Sequence, residues 1–258
     1  MTVTVLLENT SHRPDLSAEH GLSLLIEANG HRILFDMGQT DLFARNADTL
    51  GIDLSTVDTA ILSHGHYDHG GGLPAFLSRN QAASVYISRH AFGRYFNGTG
   101  KYIGLDPALQ ESPRLIFTQG ETDLSDGFTL CVETSLPTLC DLGTFGLTAE
   151  MDGIRIPDPF DHEQYLLVRE GGKRILFSGC SHRGILNIVD HFHPDILVGG
   201  FHVSKMPTDH TLSELAQTLA AYGTDFYTGH CTGLPQYGFI ARYMPRLHYI
   251  STGERITL

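Results

Sequence analysis

The residues best suited to chemistry lie in the segment 63–72, Ser-His-Gly-His-Tyr-Asp-His-Gly-Gly-Gly, which places three imidazoles and a carboxylate within six residues. Neutral imidazole and carboxylate groups are the usual ligands of Zn, Mn and Fe ions. Alternate residues of an extended loop point to one side, so we expect His64 and His66 to bind one metal ion together. Asp68 and His69 follow directly and are placed to bind a second ion. A solvated His-rich turn is the alternative, and the density of ligand-type residues argues against it.

This segment needs a rigid element on each side. The residues before it, 57–63, form a largely apolar run that predicts a buried strand. The glycines at 70–72 allow the backbone to turn into a helix that begins near Leu73. A strand that ends in such a loop delivers its ligands at one edge of a sheet.

The first part of the chain alternates strands with helices. Strands are predicted at 22–28 and 32–35, and Asn29-Gly30 joins them as a hairpin through a type I′ turn. Further strands are predicted at 2–7, 57–63 and 84–88, and helices at 42–50 and 73–77. This order predicts an α/β arrangement of layers.

The later part of the chain repeats this pattern. A second hairpin at 165–177 ends in Arg-Ile-Leu-Phe, the same four residues that occupy 32–35, which suggests two similar halves; a chance repeat is the alternative. Beyond it we predict a helix at 184–192 with Ser181 as its N-cap, strands at 195–199, 225–228 and 248–251, and helices at 212–222 and 235–244. No linker interrupts the chain, so a single domain is predicted over 1–258.

Two long segments show little periodicity. Residues 95–120 are rich in Gly, Pro and polar side chains and are predicted to be irregular, and a strand follows at 128–134. Residues 137–162 contain three prolines and three glycines. A connection of this length is often functional, so it is either a lid or substrate wall over the metal site, or an ordinary surface loop.

The H-x-H-x-D-H pattern after a short strand resembles the metallo-β-lactamase superfamily. That resemblance implies an αββα sandwich, an α/β (α+β) fold in which two mixed sheets lie between helical layers. The combination of HGHYDHGGG, SGCSHRGI and GGFH is more similar to one branch, the 7,8-dihydropterin-6-methyl-4-(ribofuranosyl)aminobenzene 5′-phosphate synthase-like group. This branch is named after a transferase in which an aromatic carbon displaces diphosphate from a dihydropterin.

The resemblance implies further site residues on later strands. His230 matches the superfamily's last metal-binding histidine, and Asp36 resembles an early aspartate that orients ligands without coordinating. Cys180 falls where the superfamily has a bridging aspartate, and is either a thiolate ligand or a buried, inert cysteine. A further histidine for the first ion is expected, and only His162 lies in the usual region. His182 is the better substitute, with a helix-capping role as the alternative.

His202, at the end of another late strand, is either a ligand or a residue that faces the substrate, and we favour the substrate role. Lys205 is expected to help it hold an anionic group. The remaining histidines are predicted to lie in turns or on helix faces with no common site: His12, His20, His31, His90, His191, His193, His210 and His248.

These residues predict a metal-dependent hydrolase with two divalent ions. In this hypothesis a water held between the ions attacks an ester, lactone or phosphoester of a small anionic substrate, and Asp68 carries the proton to the leaving group. Zn²⁺ is the expected ion, with Mn or Fe as alternatives. The other hypotheses are a transferase that releases diphosphate, a di-iron redox protein, and a non-enzymatic sensor or regulatory binding protein.

The composition limits the partners. With 17 Lys and Arg against 29 Asp and Glu, the formal charge is -12, which argues against general affinity for nucleic acid or an anionic membrane. No apolar run approaches the ~20 residues needed to span a bilayer. The beginning of the chain resembles a strand and has no basic region or cleavage site, so a cytoplasmic protein acting on a small molecule is expected. The oligomeric state is not predicted.

Overall fold

The computed structural model describes residues 1–132 and 136–258, so the last two residues of the predicted strand 128–134 lie outside the described part. The elements of the first part are β1 (Thr2–Leu7), β2 (Ser23–Ala28), β3 (His31–Phe35), α1 (Leu42–Thr49), β4 (Thr59–Leu62), α2 (Tyr67–Gly70), α3 (Leu73–Arg79), β5 (Ser84–Ser88), β6 (Arg94–Phe96), β7 (Leu115–Thr118), β8 (Gly120–Ser125) and β9 (Phe128–Val132). Those that follow are β10 (Thr148–Met151), β11 (Ile154–Pro157), β12 (Tyr165–Glu170), β13 (Lys173–Phe177), α4 (Ile185–Phe192), β14 (Ile196–Val198), α5 (His210–Ala220), β15 (Asp225–Thr228), α6 (Leu234–Ile240), β16 (Leu247–Tyr249) and β17 (Arg255–Thr257). Short 3-10 turns lie at Leu54–Thr56, Pro107–Glu111 and His230–Thr232.

Two seven-stranded mixed sheets form the centre of the protein. The first has the order β17-β1-β2-β3-β4-β5-β7, and the second the order β16-β15-β14-β13-β12-β9-β8. In each sheet an antiparallel hairpin, β2-β3 or β12-β13, is followed by parallel strands. The two halves therefore share one topology, as the repeated Arg-Ile-Leu-Phe suggested.

Side-chain alternation along these repeated strands separates three apolar layers. On β13, Ile175 and Phe177 face the other sheet, while Leu176 packs beneath α4 and α5. On β3, Phe35 also faces inward, with its ring 6.0 Å from that of Phe177, while Leu34 packs under α1 and α3. Helices thus cover the outer face of each sheet, which confirms the αββα sandwich.

The structure differs from the sequence predictions in the two segments without periodicity. Residues 148–157 form the β10-β11 hairpin, and β10 also pairs with β6, so these segments build a small three-stranded sheet. The strand β7 was also missed, and it extends the first sheet. Ser181 does not cap α4: Gly184 holds that position, and Ser181 hydrogen-bonds Ser178 through its hydroxyl. None of the helices within the described residues has the length and apolar character needed to cross a membrane.

Candidate metal centre

Polar residues collect where the parallel strands of both sheets end. Asp36 follows β3 and His64 follows β4 in the first sheet. In the second sheet, Cys180, His202 and His230 follow β13, β14 and β15. The carboxyl ends of parallel strands meet at one edge of a sheet, and here the edges of both sheets converge on one group of side chains.

The first cluster consists of His64, His66 and His182, whose ligand atoms all lie within 4.8 Å of one another. The Nε2 atoms of His64 and His182 are 3.3 Å apart. The Nε2 atom of His66 is buried and has no hydrogen-bond partner within the described part of the chain. A buried, unpartnered ring nitrogen is costly unless it meets a ligand, so this cluster fits a cation.

The second cluster consists of Asp68, His69, Cys180 and His230. The Nε2 atom of His69 lies 3.1 Å from Nε2 of His230 and 3.2 Å from Sγ of Cys180. The Oδ2 atom of Asp68 lies 3.4 Å from Nε2 of His230 and 4.0 Å from Nε2 of His69. The ring centroids of His64 and His69 are 4.1 Å apart, so the two clusters adjoin.

Asp36 orients histidines of both clusters without belonging to either. Its Oδ2 atom accepts hydrogen bonds from the Ser63 hydroxyl, at 2.7 Å, and from Nδ1 of His69, at 2.6 Å. Because the Ser63 hydroxyl donates to Asp36, it accepts from Nδ1 of His64, at 2.8 Å. Each Nδ1 atom thus carries a ring proton, and the Nε2 atoms are left to face the site.

His230 is fixed in the same tautomer by residues that the sequence reasoning missed. The Nδ1 atom of His230 donates to Oδ1 of Asn9 at 2.9 Å, which leaves the lone pair on Nε2. The buried carboxylate of Glu8 accepts the backbone N–H of His230 at 2.6 Å and the Tyr249 hydroxyl at 2.9 Å. The Nε2 atoms of His69 and His230 therefore face each other 3.1 Å apart, an arrangement that fits a shared cation once an ion displaces any proton between them.

His182 is positioned by Glu163, which was also missed. The buried Glu163 carboxylate accepts the backbone N–H groups of His182, at 2.8 Å, and Arg183, at 3.1 Å. The Tyr165 hydroxyl donates to the same carboxylate at 2.7 Å. The His182 ring stacks on Phe160 with 4.6 Å between centroids, so both its backbone and its ring are held towards the first cluster.

His162 lies behind the first cluster. Its Nδ1 atom accepts the backbone N–H of Gly65 at 3.0 Å, and its Nε2 lies 3.3 Å from Oδ2 of Asp158. The same Asp158 oxygen is 3.9 Å from Nε2 of His66. A side chain at Gly65 would collide with the Ala91 carbonyl, which explains the glycine between the two histidines. The spacing of a metal-binding group is also met by His66, Asp158 and His162. The sequence favours His182 over His162 as the further histidine for the first ion.

The prediction that His20 lies outside any site is wrong. The Nε2 atom of His20 lies 3.1 Å from Oδ2 of Asp68, and its ring is 4.7 Å from that of His230. Asp68, His230 and His20 have the spacing of a metal-binding group. His20 comes from the loop between β1 and β2, where the sequence shows no pattern that would place it here.

Four residues at this edge adopt left-handed backbone conformations that are unfavourable for residues other than glycine. Asp36 has φ of 60°, Ser181 60°, His202 51° and His230 48°. Such conformations cost on the order of 1–3 kcal/mol each and concentrate at functional sites. Here they turn the chain sharply at the strand ends, so that the side chains enter the site.

Burial and neighbouring charge shift the pKa values of these groups in opposite directions. Burial lowers the pKa of His66 to about 4 and holds the pKa of His64 and of His182 well below the usual value, so these rings are neutral. Burial also disfavours a charge on His69, but the Asp36 carboxylate outweighs it and raises the pKa of His69 to about 9.

The acidic groups of the second cluster are shifted as well. Burial opposes ionisation of Asp68, yet hydrogen bonds from His20 and His230 hold its pKa well below the usual value. Burial and the neighbouring Cys231 raise the pKa of Cys180 well above that of a free thiol. The site therefore combines the neutral imidazoles of the first cluster with a charged His69 and an ionised Asp68 carboxylate in the second.

The centre opens into a cavity of about 350 Å³. His66, Asp68, His202 and Lys205 line it, with His230 and Cys231 at its base. The Lys205 ammonium donates to the Phe145 carbonyl at 3.1 Å, so part of segment 137–162 does reach the cavity wall. Phe145 also contacts the His202 ring, at 5.5 Å between centroids.

The chain belongs to the metallo-β-lactamase superfamily, because the model of that family matches residues 16–230. It is 29% identical to an uncharacterised protein of Methanocaldococcus jannaschii over 241 residues, which cover 90% of each chain. It is 27% identical over 240 residues to the 7,8-dihydropterin-6-methyl-4-(β-D-ribofuranosyl)-aminobenzene-5′-phosphate synthase of the same organism, covering 84% of this chain and 82% of that one. These matches confirm the resemblance to the superfamily and to its synthase-like branch.

A solved structure shows a similar fold over the whole chain. Tm1679, described as a metal-dependent hydrolase of the β-lactamase superfamily, superposes with a TM-score of 0.86 at 29% identity and covers 100% of this chain and 99% of its own. The two relatives with described activities thus differ in reaction, one a hydrolase and the other a synthase.

Proposed function

We propose that the protein is a metal-dependent hydrolase that binds two divalent cations, with Zn²⁺ expected, and cleaves an ester, lactone or phosphoester of a small anionic substrate. The observation that carries this proposal is the pair of adjoining clusters whose Nε2 atoms face each other beside an open cavity. Divalent cations bound there would lower the pKa of a water molecule and polarise a carbonyl or phosphoryl oxygen.

In this proposal His64, His66 and His182 hold the first ion, and Asp68, His69, Cys180 and His230 hold the second. Asp36 keeps two of these rings in the required tautomer through the Ser63 hydroxyl and its own Oδ2 atom. Because seven ligand groups converge from both sheets, little rearrangement is needed to bind the ions.

Asp68 is the proposed proton carrier. Its carboxylate is ionised, and its Oδ2 atom lies 3.1 Å from Nε2 of His20 at the edge of the cavity. It can accept the proton of an attacking water and return it to the leaving group. His20, half-exposed beside it, connects this oxygen to solvent.

His202 and Lys205 are proposed to hold an anionic part of the substrate. Both line the cavity, and Lys205 brings a positive charge to it. Since the whole protein carries a formal charge of -12, an anion needs such local attraction to bind.

The test is a substrate panel with matched variants. Zn²⁺- or Mn²⁺-loaded protein is expected to cleave at least one ester, lactone, phosphodiester or diphosphate, and Asp68→Asn to lower kcat by about 10²–10⁴-fold. Asp41→Asn is the control, because among the described residues the Asp41 side chain makes one ion pair, with Arg45 on the surface. Absence of cleavage across the panel by protein that holds both ions would refute the proposal.

A transferase is the second candidate, supported by the 27% identity to the M. jannaschii synthase over most of both chains. In that case the same cavity would hold a diphosphate-bearing pterin and an aromatic acceptor, and no water would attack. Diphosphate release that requires both substrates would favour it, whereas release from one substrate alone would favour hydrolysis.

A further inference from the structure

Two cysteines and a histidine lie together beside the second cluster. The Sγ atoms of Cys180 and Cys231 and one ring nitrogen of His202 are all within 4.8 Å of one another. They come from the ends of three different strands, β13, β15 and β14. Both thiols are buried, with 3% and 6% of the residue exposed, and neither is in a disulfide.

The surrounding backbone is shaped to hold these groups close. A side chain at Gly200 would collide with Sγ of Cys231, so the glycine gives the thiol its space. The sulfur in turn lies 3.5 Å from the Cys180 carbonyl oxygen. His202 adopts φ of 51°, and its Nδ1 atom is buried without a hydrogen-bond partner among the described residues.

The buried Nδ1 atom of His202, without a hydrogen-bond partner among the described residues, also fits a bound cation. A buried polar atom without a partner costs about 1–3 kcal/mol, and native structures retain few of them. Neither a hydrolytic nor a transfer reaction at the two clusters gives a role to Cys231. The functions proposed above give His202 a contact with the substrate, but they leave the Cys231 thiol in the wall of the same cavity without a role.

The spacing fits one small cation. Ligands about 2.0–2.3 Å from a tetrahedral Zn²⁺ are separated from one another by roughly 3.3–3.8 Å, so groups already within 4.8 Å need only small movements. Two thiolates and an imidazole are a soft donor set, which favours Zn²⁺ or Cu⁺ over Mg²⁺, Ca²⁺ or Mn²⁺. The Cys180 sulfur is also 3.2 Å from Nε2 of His69, so it can be shared with the second cluster.

We propose that Cys180, His202 and Cys231 form a third metal subsite, selective for a thiophilic cation, that shares the Cys180 sulfur with the second cluster. On binding, each thiol releases its proton to solvent and coordinates as a thiolate, and no oxidation or reduction occurs. An ion held by these residues would add positive charge to the wall that Lys205 also lines, so attraction of an anion there would be retained. The inference rests on the metal-binding part of the proposed function and not on the reaction.

Cobalt titration tests the subsite directly. Metal-free, reduced protein is titrated with Co²⁺ under anaerobic conditions, and bound cobalt is measured by mass spectrometry together with the near-ultraviolet thiolate-to-cobalt absorption. We expect three equivalents in the unmodified protein. Cys231→Ser should lose one equivalent and at least half of that absorption, and His202→Gln should lose the same equivalent. Cys140→Ser, a change to a thiol outside the subsite, should leave both measurements unchanged.

The controls separate misfolding and failure of the main site from failure of the subsite. Cys231→Ser and His202→Gln must keep the circular dichroism of the unmodified protein and its other two equivalents. Two equivalents in the unmodified protein, or an unaltered spectrum in Cys231→Ser, would overturn the subsite alone. A Cys180–Cys231 disulfide that persists after treatment with a reductant would also overturn it. Mass spectrometry would detect this disulfide as a protein mass lower by two hydrogens. Absence of all bound cobalt would instead remove the basis of the proposed function.

Discussion

The Nδ1 atom of His69 lies 2.6 Å from Oδ2 of Asp36, and both side chains are fully buried. The same carboxylate accepts the Ser63 backbone N–H through its other oxygen, at 2.7 Å. One residue outside both clusters thus fixes the turn after β4 and the tautomers of two proposed ligands. Its own left-handed conformation, at φ of 60°, places the carboxylate between them.

Replacing Asp36 with Asn should weaken metal binding with little change in volume. The Asp36 carboxylate accepts hydrogen bonds from the Ser63 N–H, the Ser63 hydroxyl and Nδ1 of His69. A neutral amide has one acceptor oxygen and no negative charge, so it cannot replace all three, and His69 and His64 lose their fixed orientation. We expect affinity for the ion at the second cluster to fall about 10–100-fold, as for other residues that orient ligands. Competition with a chromophoric chelator measures this, and an affinity equal to that of the unmodified protein would show that Asp36 has only a structural role.

We expect opposite effects on metal binding at the first cluster from replacing His182 and from replacing His162. His182→Ala should lose one bound equivalent and lower kcat/KM by at least about 100-fold, because Nε2 faces that of His64 at 3.3 Å. His162→Ala should keep every equivalent that the unmodified protein binds, since the His162 ring bonds the Gly65 N–H and Asp158. Loss of an equivalent in His162→Ala but not in His182→Ala would move the first ion towards Asp158.

Metal binding at the second cluster should strengthen as pH rises. The pKa of His69 is raised to about 9, so at neutral pH the metal-free ring carries a proton that an ion must displace. His69 alone therefore adds about a tenfold gain in affinity per pH unit up to about pH 9, and none above it. The titratable groups around the ring include Asp36, His64, Asp68, Cys180, His230 and Cys231, and Cys180 adds a proton of its own.

Asp36→Asn isolates the His69 contribution. Without the carboxylate the pKa of His69 falls, so the slope of log affinity against pH should decrease by about one between about pH 7 and pH 9. The slopes of the two proteins are compared by chelator competition in matched buffers. Equal slopes would show that the His69 proton is not displaced by the ion.

Asn80 should contribute strongly to stability although it lies outside the site. Its buried side chain donates to the carbonyls of Leu54 and Val57, at 3.0 and 2.9 Å, and accepts the N–H groups of Ala82 and Ala83, at 3.0 and 2.7 Å. Asn80→Ala leaves these groups unsatisfied around the turn that leads into β4, and should lower the free energy of unfolding by about 2–4 kcal/mol.

Urea unfolding measures that loss. Gln81→Ala is the matched control, because its exposed amide bonds only the adjacent helix carbonyls and should change stability by less than about 0.5 kcal/mol. Similar values for the two variants would show that the Asn80 hydrogen bonds are replaced by water.

The sequence predicts those parts of the site that depend on local pattern. Two sequence patterns indicate the proposed strand-end ligands without knowledge of the contacts. One is the H-x-H-x-D-H segment after an apolar run, and the other is the set of glycine-flanked polar residues after later strands. Pairing between distant segments leaves no such pattern. The strand β10 pairs with β6, which lies some fifty residues earlier, and its hairpin was therefore predicted as a loop or lid.

The supporting residues were missed for a related reason. The loop after β1 supplies Glu8, Asn9 and His20. Glu8 and Asn9 contact His230, which lies more than two hundred residues away in the sequence. His20 contacts Asp68, which lies about fifty residues away. Glu163 is acidic and would ordinarily be placed on the surface, but two backbone N–H groups and the Tyr165 hydroxyl satisfy it in the interior. Their roles depend on three-dimensional proximity that residue type and spacing do not encode.

The proposed metal ligands come from both sheets, so they lie far apart along the unfolded chain. His64 and His182 are separated by 118 residues, and His69 and His230 by 161. An ion that joins either pair closes a loop of that length, and the conformational entropy lost on closing a loop grows with its length. Each bound ion would thus act as a long-range cross-link between the two halves, one that a chelator can remove and a cation can restore.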